Sequence, residues 1–301
     1  MALTNTTTVA APLGRTIGDA VIAFNHTNVM YPLVTVKQAG MGTSHVNFGD
    51  WTKLAASDVT NATQATTTTA VALTSAVKTA TITEHVIAST VSDLVVMGSS
   101  GDFVGQAGSV LGNAVASKLD DDLVELGKTF ASTECGAGTT LALSHLFGAM
   151  RQLRSAGATM PLNLVLSPKQ VWGSKGIIAL LHNGALDTAG SSTTDTATAR
   201  AIGLMGNVGN EAMTTGYVGT LAGFNIYWSE NIDEDVSSGG DAAGFAFSAG
   251  AIGLGVGPAG LFRIAEERDE MLRATNYVAT GFWGEIEVKD LFGVYILSDV
   301  S

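Results

Sequence analysis

The chain has 301 residues, of which 46% are hydrophobic and 14% are charged, and its formal net charge is −12. Its 15 Lys and Arg residues are scattered, which excludes sequence-specific recognition of nucleic acid, because phosphate binding needs clustered positive charge. The single cysteine, Cys135, excludes an internal disulfide. No apolar run approaches the roughly 18 residues that span a bilayer. The first residues lack the features of a signal peptide, which predicts a chain made in the cytosol.

The low share of charged residues has two interpretations. In soluble domains about a quarter of the residues are usually charged. In this chain small and uncharged polar residues, including 36 Gly, take the place of many charged ones. Either much of the surface contacts other protein, or the surface is a solvated, Thr- and Ser-rich one of the kind found on extracellular domains.

The first third of the chain predicts extended structure with little core of its own. Residues 1–30 are rich in Thr and poor in large apolar groups, which is typical of an arm. Residues 31–90 are predicted to form an extended β-hairpin, with a first strand over Tyr31–Lys37. Thr and Val favour extended chain, but a segment without large side chains buries little area. This hairpin therefore needs a partner surface to be ordered.

Two helices follow. Apolar residues at steps of three and four predict a helix over Gly105–Phe130, which at 1.5 Å per residue is about 40 Å long and crosses a whole domain. Its buried stripe consists of Leu111, Val115, Leu119, Leu123, Leu126 and Phe130. A second helix is predicted over Ala142–Ala156, with Gly157 as its C-terminal stop.

The remainder predicts an α+β domain and closing strands. Strands are expected over Leu162–Ser167, Ala222–Trp228 and Ala243–Phe247, a helix over 169–182 and a polar loop over 187–200. The segment 261–275 fits a helix and a charged strand about equally well. Alternating residues then predict a strand pair that closes the core, with one strand over Gly284–Lys289 and the other over Val294–Asp299.

A glycine-rich motif does not support cofactor binding. Gly255–Gly260 matches G-x-G-x-x-G, but Pro258 removes one of the backbone N–H donors that a dinucleotide needs. The acidic residue expected about 20 positions on is also missing, because Ala279–Gly281 stands there. A tight glycine turn is the better interpretation.

The reactive side chains do not form a catalytic pattern either. Cys135 and His145 suggest a thiol and its base only weakly, and a free thiol is favoured. The five His residues lack metal-ligand spacing. Asp120, Asp121 and Asp122 point to successive faces of a helix, which favours a solvated or inter-subunit face. The sequence therefore predicts no catalytic, cofactor or metal site, and no enzyme.

The order of the predicted parts and four local motifs resemble the major capsid proteins of tailed bacteriophages, which have the HK97-type fold. The resemblance covers about residues 80–301. The four motifs are Thr90–Phe103 leading into Lys118-Leu119-Asp120-Asp121-Asp122-Leu123, Leu164–Gln170, Ala222–Ser229 and Ile264–Asp269.

This resemblance implies an α+β capsid fold with an N-terminal arm (1–30), an extended hairpin or E-loop (31–90) and a long spine helix. It also implies a peripheral domain (91–140 and 262–301) and an axial domain (141–261). The expected function is self-assembly into hexamers and pentamers of an icosahedral shell that encloses double-stranded DNA without reading its sequence. Separate scaffolding, portal or decoration proteins are expected partners, and the virion, assembled in the host cytoplasm, is the expected location.

Two alternatives stay open. One is an encapsulin-type bacterial compartment shell, which would have the same fold and a protein cargo. The other is an extracellular Thr-rich adhesin.

One charge cluster is the candidate site. A chain otherwise poor in charge concentrates its charges near residue 270, which suggests ion pairs between subunits, with a solvated face or an internal ion-pair network as the alternatives. The residues predicted to make these contacts are Arg263, Glu266, Glu267, Arg268 and Asp269.

Overall fold

The computed structural model describes residues 28–62, 64, 67–68, 70–98, 103–177, 217–236 and 240–301. Most of the predicted arm, the polar loop over 187–200 and the end of the helix predicted over 169–182 lie outside the described residues.

The described residues form a mixed α+β structure with three sheets, as the sequence predicts. The strands are β1 (Thr35–Gln38), β2 (His45–Trp51), β3 (Ser75–Thr81), β4 (Thr83–Ser92), β5 (Thr133–Cys135), β6 (Leu162–Leu166), β7 (Tyr217–Leu221), β8 (Phe224–Trp228), β9 (Asp241–Ser248), β10 (Ile252–Val256), β11 (Phe262–Asp269), β12 (Ala274–Glu287) and β13 (Gly293–Asp299). The helices are α1 (Asp93–Gly98), α2 (Phe103–Gly127), α3 (Leu143–Ala156) and α4 (Pro168–Trp172), and short 3-10 turns cover Tyr31–Leu33, Ala56–Asp58 and Asp290–Phe292.

A five-stranded sheet is organised around the long strand β12. One edge of β12 pairs antiparallel with β11, from Phe262↔Gly281 to Asp269↔Ala274. Farther along, the same edge of β12 pairs with β10, and β1 extends the sheet beyond β10 in parallel, whereas β4 pairs with the opposite edge of β12. At the end where β12 begins, the sheet is therefore three strands wide, with β4 and β11 as its two edges.

A six-stranded sheet has the order β5-β13-β9-β6-β8-β7. All residues of β6 and β9 are buried, because layers of side chains cover both faces of the central strands. The strands β2 and β3 pair only with each other among the described residues and form a hairpin.

The helix α2 carries the stripe that the sequence predicts. Leu119 and Leu123 are fully buried and belong to one core cluster with Trp283 of β12 and Phe245 of β9. The helix therefore packs against both larger sheets. A second cluster lies on the other face of the six-stranded sheet, where α3 covers β6 and β8.

Local sequence explains the ends of the shorter helices. At α4, the Ser167 hydroxyl accepts a hydrogen bond from the Gln170 N–H, and Pro168 occupies the first helical position. At the end of α3, Gly157 adopts φ +83, the left-handed conformation that glycine tolerates best. In the described part of the range predicted as one helix over 169–182, α4 ends at Trp172, because the chain becomes extended at Gly173.

Three predictions about strands need correction. The ambiguous segment 261–275 is a strand, β11, followed by a turn and the start of β12. The strand predicted from Gly284 begins at Ala274. The predicted pairing of the last two strands is wrong, because the 3-10 turn Asp290–Phe292 separates them and β13 pairs with β9 in the other sheet.

The predicted domain boundaries do not coincide with the sheets. β10, predicted to be axial, lies beside β12, whereas β5 and β13, predicted to be peripheral, lie in the six-stranded sheet. The division into a peripheral and an axial domain stays a prediction. If each domain contained one of the large sheets, β10 would belong to the peripheral domain and β5 and β13 to the axial domain.

Candidate assembly surfaces

Arg268, in the predicted charge cluster, is engaged within its own chain. Its guanidinium donates two hydrogen bonds to the Asp93 carboxylate, at 2.6 and 2.7 Å, and a third to Glu270 at 3.3 Å. The hydrogen bond from Arg268 lowers the pKa of Asp93, and the same contact raises the pKa of Arg268. The pair joins the start of α1 to the end of β11.

The other members of the cluster share one strand but not one network. Asp269 accepts backbone N–H bonds from Met271 and Leu272, which fixes the turn into β12. Among the residues that the structure describes, Arg263, Glu266 and Glu267 have no ion-pair partner within 4 Å. These three are the charges of the cluster that remain for contacts with another molecule.

The base of the β2–β3 hairpin is fixed to the five-stranded sheet. Val46 and Phe48 are buried, and a Cβ atom at Gly253 of β10 would lie 2.8 Å from the Phe48 ring, so only glycine admits this packing. Lys289 donates to Asp50 at 3.0 Å and strengthens the same contact. The base is thus part of the core of its own subunit.

The tip of the hairpin is exposed and apolar. Its largest exposed side chains are Trp51, Leu54, Val59, Val71 and Leu73. Monomeric proteins rarely expose a contiguous apolar surface without a function, so the tip is a candidate contact with another molecule. The sequence predicted that this segment needs a partner.

A second apolar patch was missed in the sequence analysis. Leu94 and Met97 of α1 are 80% and 83% exposed, and Met271 and Leu272 in the β11–β12 turn are 95% and 66% exposed. The Asp93 N–H donates to the Arg273 carbonyl at 3.0 Å and brings these segments together. The signal in the sequence was the apolar run Leu94–Met97, which is as hydrophobic as a core segment.

Asp120 contradicts the prediction of a solvated or inter-subunit carboxylate. It is fully buried and accepts hydrogen bonds from four donors. These are the Met30 N–H (2.7 Å), the Val29 N–H (3.1 Å), the Ser229 hydroxyl (2.7 Å) and the Asn231 amide (3.1 Å). Burial raises the pKa of Asp120, and the hydrogen bonds only partly offset it.

Its neighbours differ in their surroundings. Asp122 accepts the Trp283 indole N–H at 3.1 Å and pairs with Lys118 at 2.7 Å, whereas the more exposed Asp121 lies 3.4 Å from the same Lys118. Because the three side chains lie on different faces of α2, the sequence alone could not tell which face would be covered.

The structure provides no support for catalysis at the motifs considered. The turn Gly257–Gly260 leads into the strand β11, not into the helix N-terminus that a dinucleotide requires. His145 accepts the Ala142 N–H at the start of α3, and burial raises the pKa of the Cys135 thiol, which disfavours the reactive thiolate. Within the described ranges, no three residues are grouped as metal ligands.

An open groove of about 850 Å³ lies between α2, α4 and the segment 230–234. Five of its twelve lining residues are acidic, and its two lysines are already paired, Lys128 with Glu125 at 2.6 Å and Lys169 with Glu234 at 3.2 Å. It contains no nucleophile beside a base. In the part of the chain that the structure describes, no helix is both long and apolar enough to cross a membrane.

The architecture matches solved capsid and particle structures over nearly the whole chain. The alignment with the capsid of cyanophage P-SCSP1u has a TM-score of 0.60 at 14% identity and covers 88% of this chain and 86% of that chain. The capsid of Ralstonia phage GP4 aligns with a TM-score of 0.63 at 10% identity, covering 91% and 92%. A virus-like particle from Pyrococcus furiosus aligns with a TM-score of 0.55 at 10% identity, covering 94% and 98%.

No family model and no curated protein matches the sequence. At such low identities the structural likenesses establish the fold. The chain has the fold of these phage capsids, and the resemblance predicted from the sequence is confirmed at that level.

Proposed function

We propose that this protein is the major capsid protein of a tailed phage, a structural subunit that self-assembles into an icosahedral shell around double-stranded DNA. The observation that carries the proposal is the match to phage capsid structures over most of both chains.

The parts of the fold fit the roles of a shell subunit. In this proposal α2 is the spine helix and the β2–β3 hairpin is the E-loop. The five-stranded sheet belongs to a peripheral domain and the six-stranded sheet to an axial domain. The axial domains surround the symmetry axes of hexamers and pentamers, and the peripheral domains border neighbouring rings. Many weak contacts, repeated by symmetry, give cooperative closure.

Charge and partners follow from the same proposal. A subunit with a net charge of −12 repels DNA weakly and lets the polymer pack without adhering to the wall. Separate scaffolding, portal or decoration proteins assist assembly in the host cytoplasm, and the finished subunit resides in the virion.

A compartment shell with a protein cargo is the second candidate. It is favoured by the alignment with the Pyrococcus furiosus particle, which covers 94% of this chain and 98% of that one. The shared shell fold gives no comparable support to the Thr-rich adhesin.

The test is assembly by the purified chain with and without the hairpin tip. Residues 53–73 are replaced by Asn-Gly, a two-residue hairpin turn, because the Thr52 N–H already bonds to the Thr74 carbonyl at 3.0 Å. This variant keeps the buried base around Phe48, so we expect a folded subunit that forms no shells, whereas the wild type forms closed particles in electron micrographs.

The contents of the particles distinguish the two candidates. Nuclease-protected DNA in particles from infected or induced host cells supports the phage capsid, and a co-purifying protein cargo supports the compartment. A wild-type chain that stays monomeric at all concentrations and salts, with its scaffold co-expressed, contradicts both.

A further inference from the structure

The three-stranded end of the five-stranded sheet has two edges of opposite character. Ala88 of β4 and Ala265 of β11 both pair with Val278 of β12, one from each side. The unpaired backbone edges of β4 and β11 therefore lie on opposite sides of the sheet. Within the described residues, β4 and β11 have no other strand partner. Each edge therefore has a row of backbone groups that a further strand could bond.

The β11 edge is protected against strand addition and the β4 edge is not. β11 has five charged residues among eight, and charges on edge strands are a common defence against unwanted pairing. β4 is ten residues long with Glu84 as its one Asp, Glu, Lys or Arg, contains no proline, and exposes Val86 and Ile87. Such an edge attracts an extended segment through backbone hydrogen bonds and apolar side chains.

The hairpin tip has a segment suited to this edge. Ala70–Thr74 is exposed, uncharged and outside the strands. Val71 and Leu73 are two positions apart, which places them on one side of the segment when it is extended. The only hydrogen bond described for its backbone is the one from the Thr52 N–H to Thr74. Five extended residues span about 17 Å, which is enough to cover half of β4.

The segment cannot reach the β4 edge of its own subunit. β3 runs from the tip to the root of the hairpin, and β4 begins directly after it at Thr83. The seven paired residues of β3 hold the tip at least about 23 Å from that point, and β4 continues onward from there. The edge must therefore be filled by another copy.

We propose that Ala70–Thr74 of one subunit adds as a strand to the free edge of β4 in a neighbouring subunit. The added backbone completes the hydrogen bonds of β4, and Val71 and Leu73 cover the exposed Val86, which lies on the same face of the strand as Ala88. The inference rests on the shell-forming function proposed above and specifies which of the two edges receives the hairpin.

The experiment compares the two alanines in the same row of the sheet. In a Cys135→Ser background, Leu73→Cys subunits are mixed with Ala88→Cys or with Ala265→Cys subunits, assembled, oxidised and run on a non-reducing gel. A disulfide requires Cα atoms about 4.4–6.8 Å apart, so cross-linked dimers report direct neighbours. We expect dimers with Ala88→Cys, only after assembly, and at least tenfold fewer with Ala265→Cys.

A pair of charge variants tests the same edge without cross-linking. Ala88→Lys should prevent shell formation and Ala265→Lys should not, with unchanged melting temperatures for both, because both alanines are exposed. Shells that cross-link through Ala265→Cys overturn the inference. Shells that show no cross-link at all and also form with Ala88→Lys overturn it too. Either result leaves the shell function intact. If the wild-type chain forms no shells, the proposed function fails and the inference fails with it.

Discussion

Asp120 joins three segments that are far apart in the sequence. Its carboxylate on α2 accepts the backbone N–H groups of Val29 and Met30, next to the root of the predicted arm, and the side chains of Ser229 and Asn231 after β8. A buried carboxylate is tolerated only when donors replace its water, and four donors do so here. The residue thus holds the backbone of Val29 and Met30 against α2.

This burial predicts a specific dependence of stability on pH. Because the pKa of Asp120 is raised in the folded protein, the folded state holds the proton more tightly than the unfolded state. Its contribution to the free energy of unfolding is therefore fully present below pH 3.8, the ordinary value, and is lost as the pH rises through the folded pKa. Asp120→Asn should remove this loss of stability with rising pH. Urea unfolding at a series of pH values from 3.8 upward measures it.

The control for this prediction is Asp121→Asn, because Asp121 is on the same helix and makes only a surface ion pair, at 3.4 Å from Lys118. It should cost at most about 1 kcal/mol, as expected for an exposed ion pair, and should keep the wild-type dependence on pH because Asp120 is intact. At neutral pH Asp120→Asn should cost about 1–3 kcal/mol, since the amide cannot accept all four hydrogen bonds. Equal pH profiles for wild type and Asp120→Asn would show that this carboxyl titrates normally.

Arg268 is the second residue whose partner changes the expectation. From the sequence, Arg268→Glu should leave the melting temperature of the subunit nearly unchanged and block assembly. Because Arg268 pairs with Asp93, the reversal places a carboxylate beside Asp93 and Glu270, so we now expect a lower melting temperature, most clearly at low salt. The double variant Asp93→Arg/Arg268→Glu should recover part of the loss, and no recovery would show that the pair contributes nothing.

At the scale of elements, the helix α2 carries the most demanding packing. Leu119 is fully buried between the two large sheets, so Leu119→Ala should lower the free energy of unfolding by about 2–5 kcal/mol. Val110 on the same helix is 66% exposed, and Val110→Ala should cost less than about 0.5 kcal/mol. Similar losses for both variants in denaturant titrations would contradict the position of α2.

The hairpin divides into two parts with different roles. Its base belongs to the subunit core through Phe48 and Gly253, while its tip exposes Trp51 and Leu73. A deletion of residues 45–75 would therefore remove the core residues Val46 and Phe48 together with the tip. Shortening only the tip separates folding from assembly.

At the scale of the whole molecule, assembly should depend on salt. Arg263, Glu266 and Glu267 have no ion-pair partner among the described residues, so in a shell they can meet charges of a neighbour. Exposed ion pairs are weak, at about 0–1 kcal/mol each, but a closed shell repeats them at every contact. Raised salt should therefore slow wild-type assembly, followed by light scattering.

Arg263→Glu separates this effect from folding better than a change at Arg268 does. It should leave the melting temperature unchanged and reduce assembly at low salt, with its difference from wild type shrinking as salt rises. Normal assembly of this variant at low salt would indicate that the strand is a solvated face.

The sequence predicted the elements whose pattern is local and periodic. The stripe on α2, the stop of α3 at Gly157 and the buried strand β6 all follow from spacing, capping and composition within a few residues. The order of these parts was enough to predict the capsid-like fold. The segment 261–275 was undecided because Ile264 fits helical and strand spacing equally well.

The tertiary structure decided everything that depends on contacts distant in the sequence. Only pairing with β12 makes 262–269 a strand, and only the position of β9 draws β13 into a different sheet. The same holds for the burial of Asp120 and for the Arg268–Asp93 pair, which spans 175 positions. Local patterns determine which segments can be helices, strands or apolar faces, but which face is covered depends on the free energy of packing against segments that the pattern does not contain.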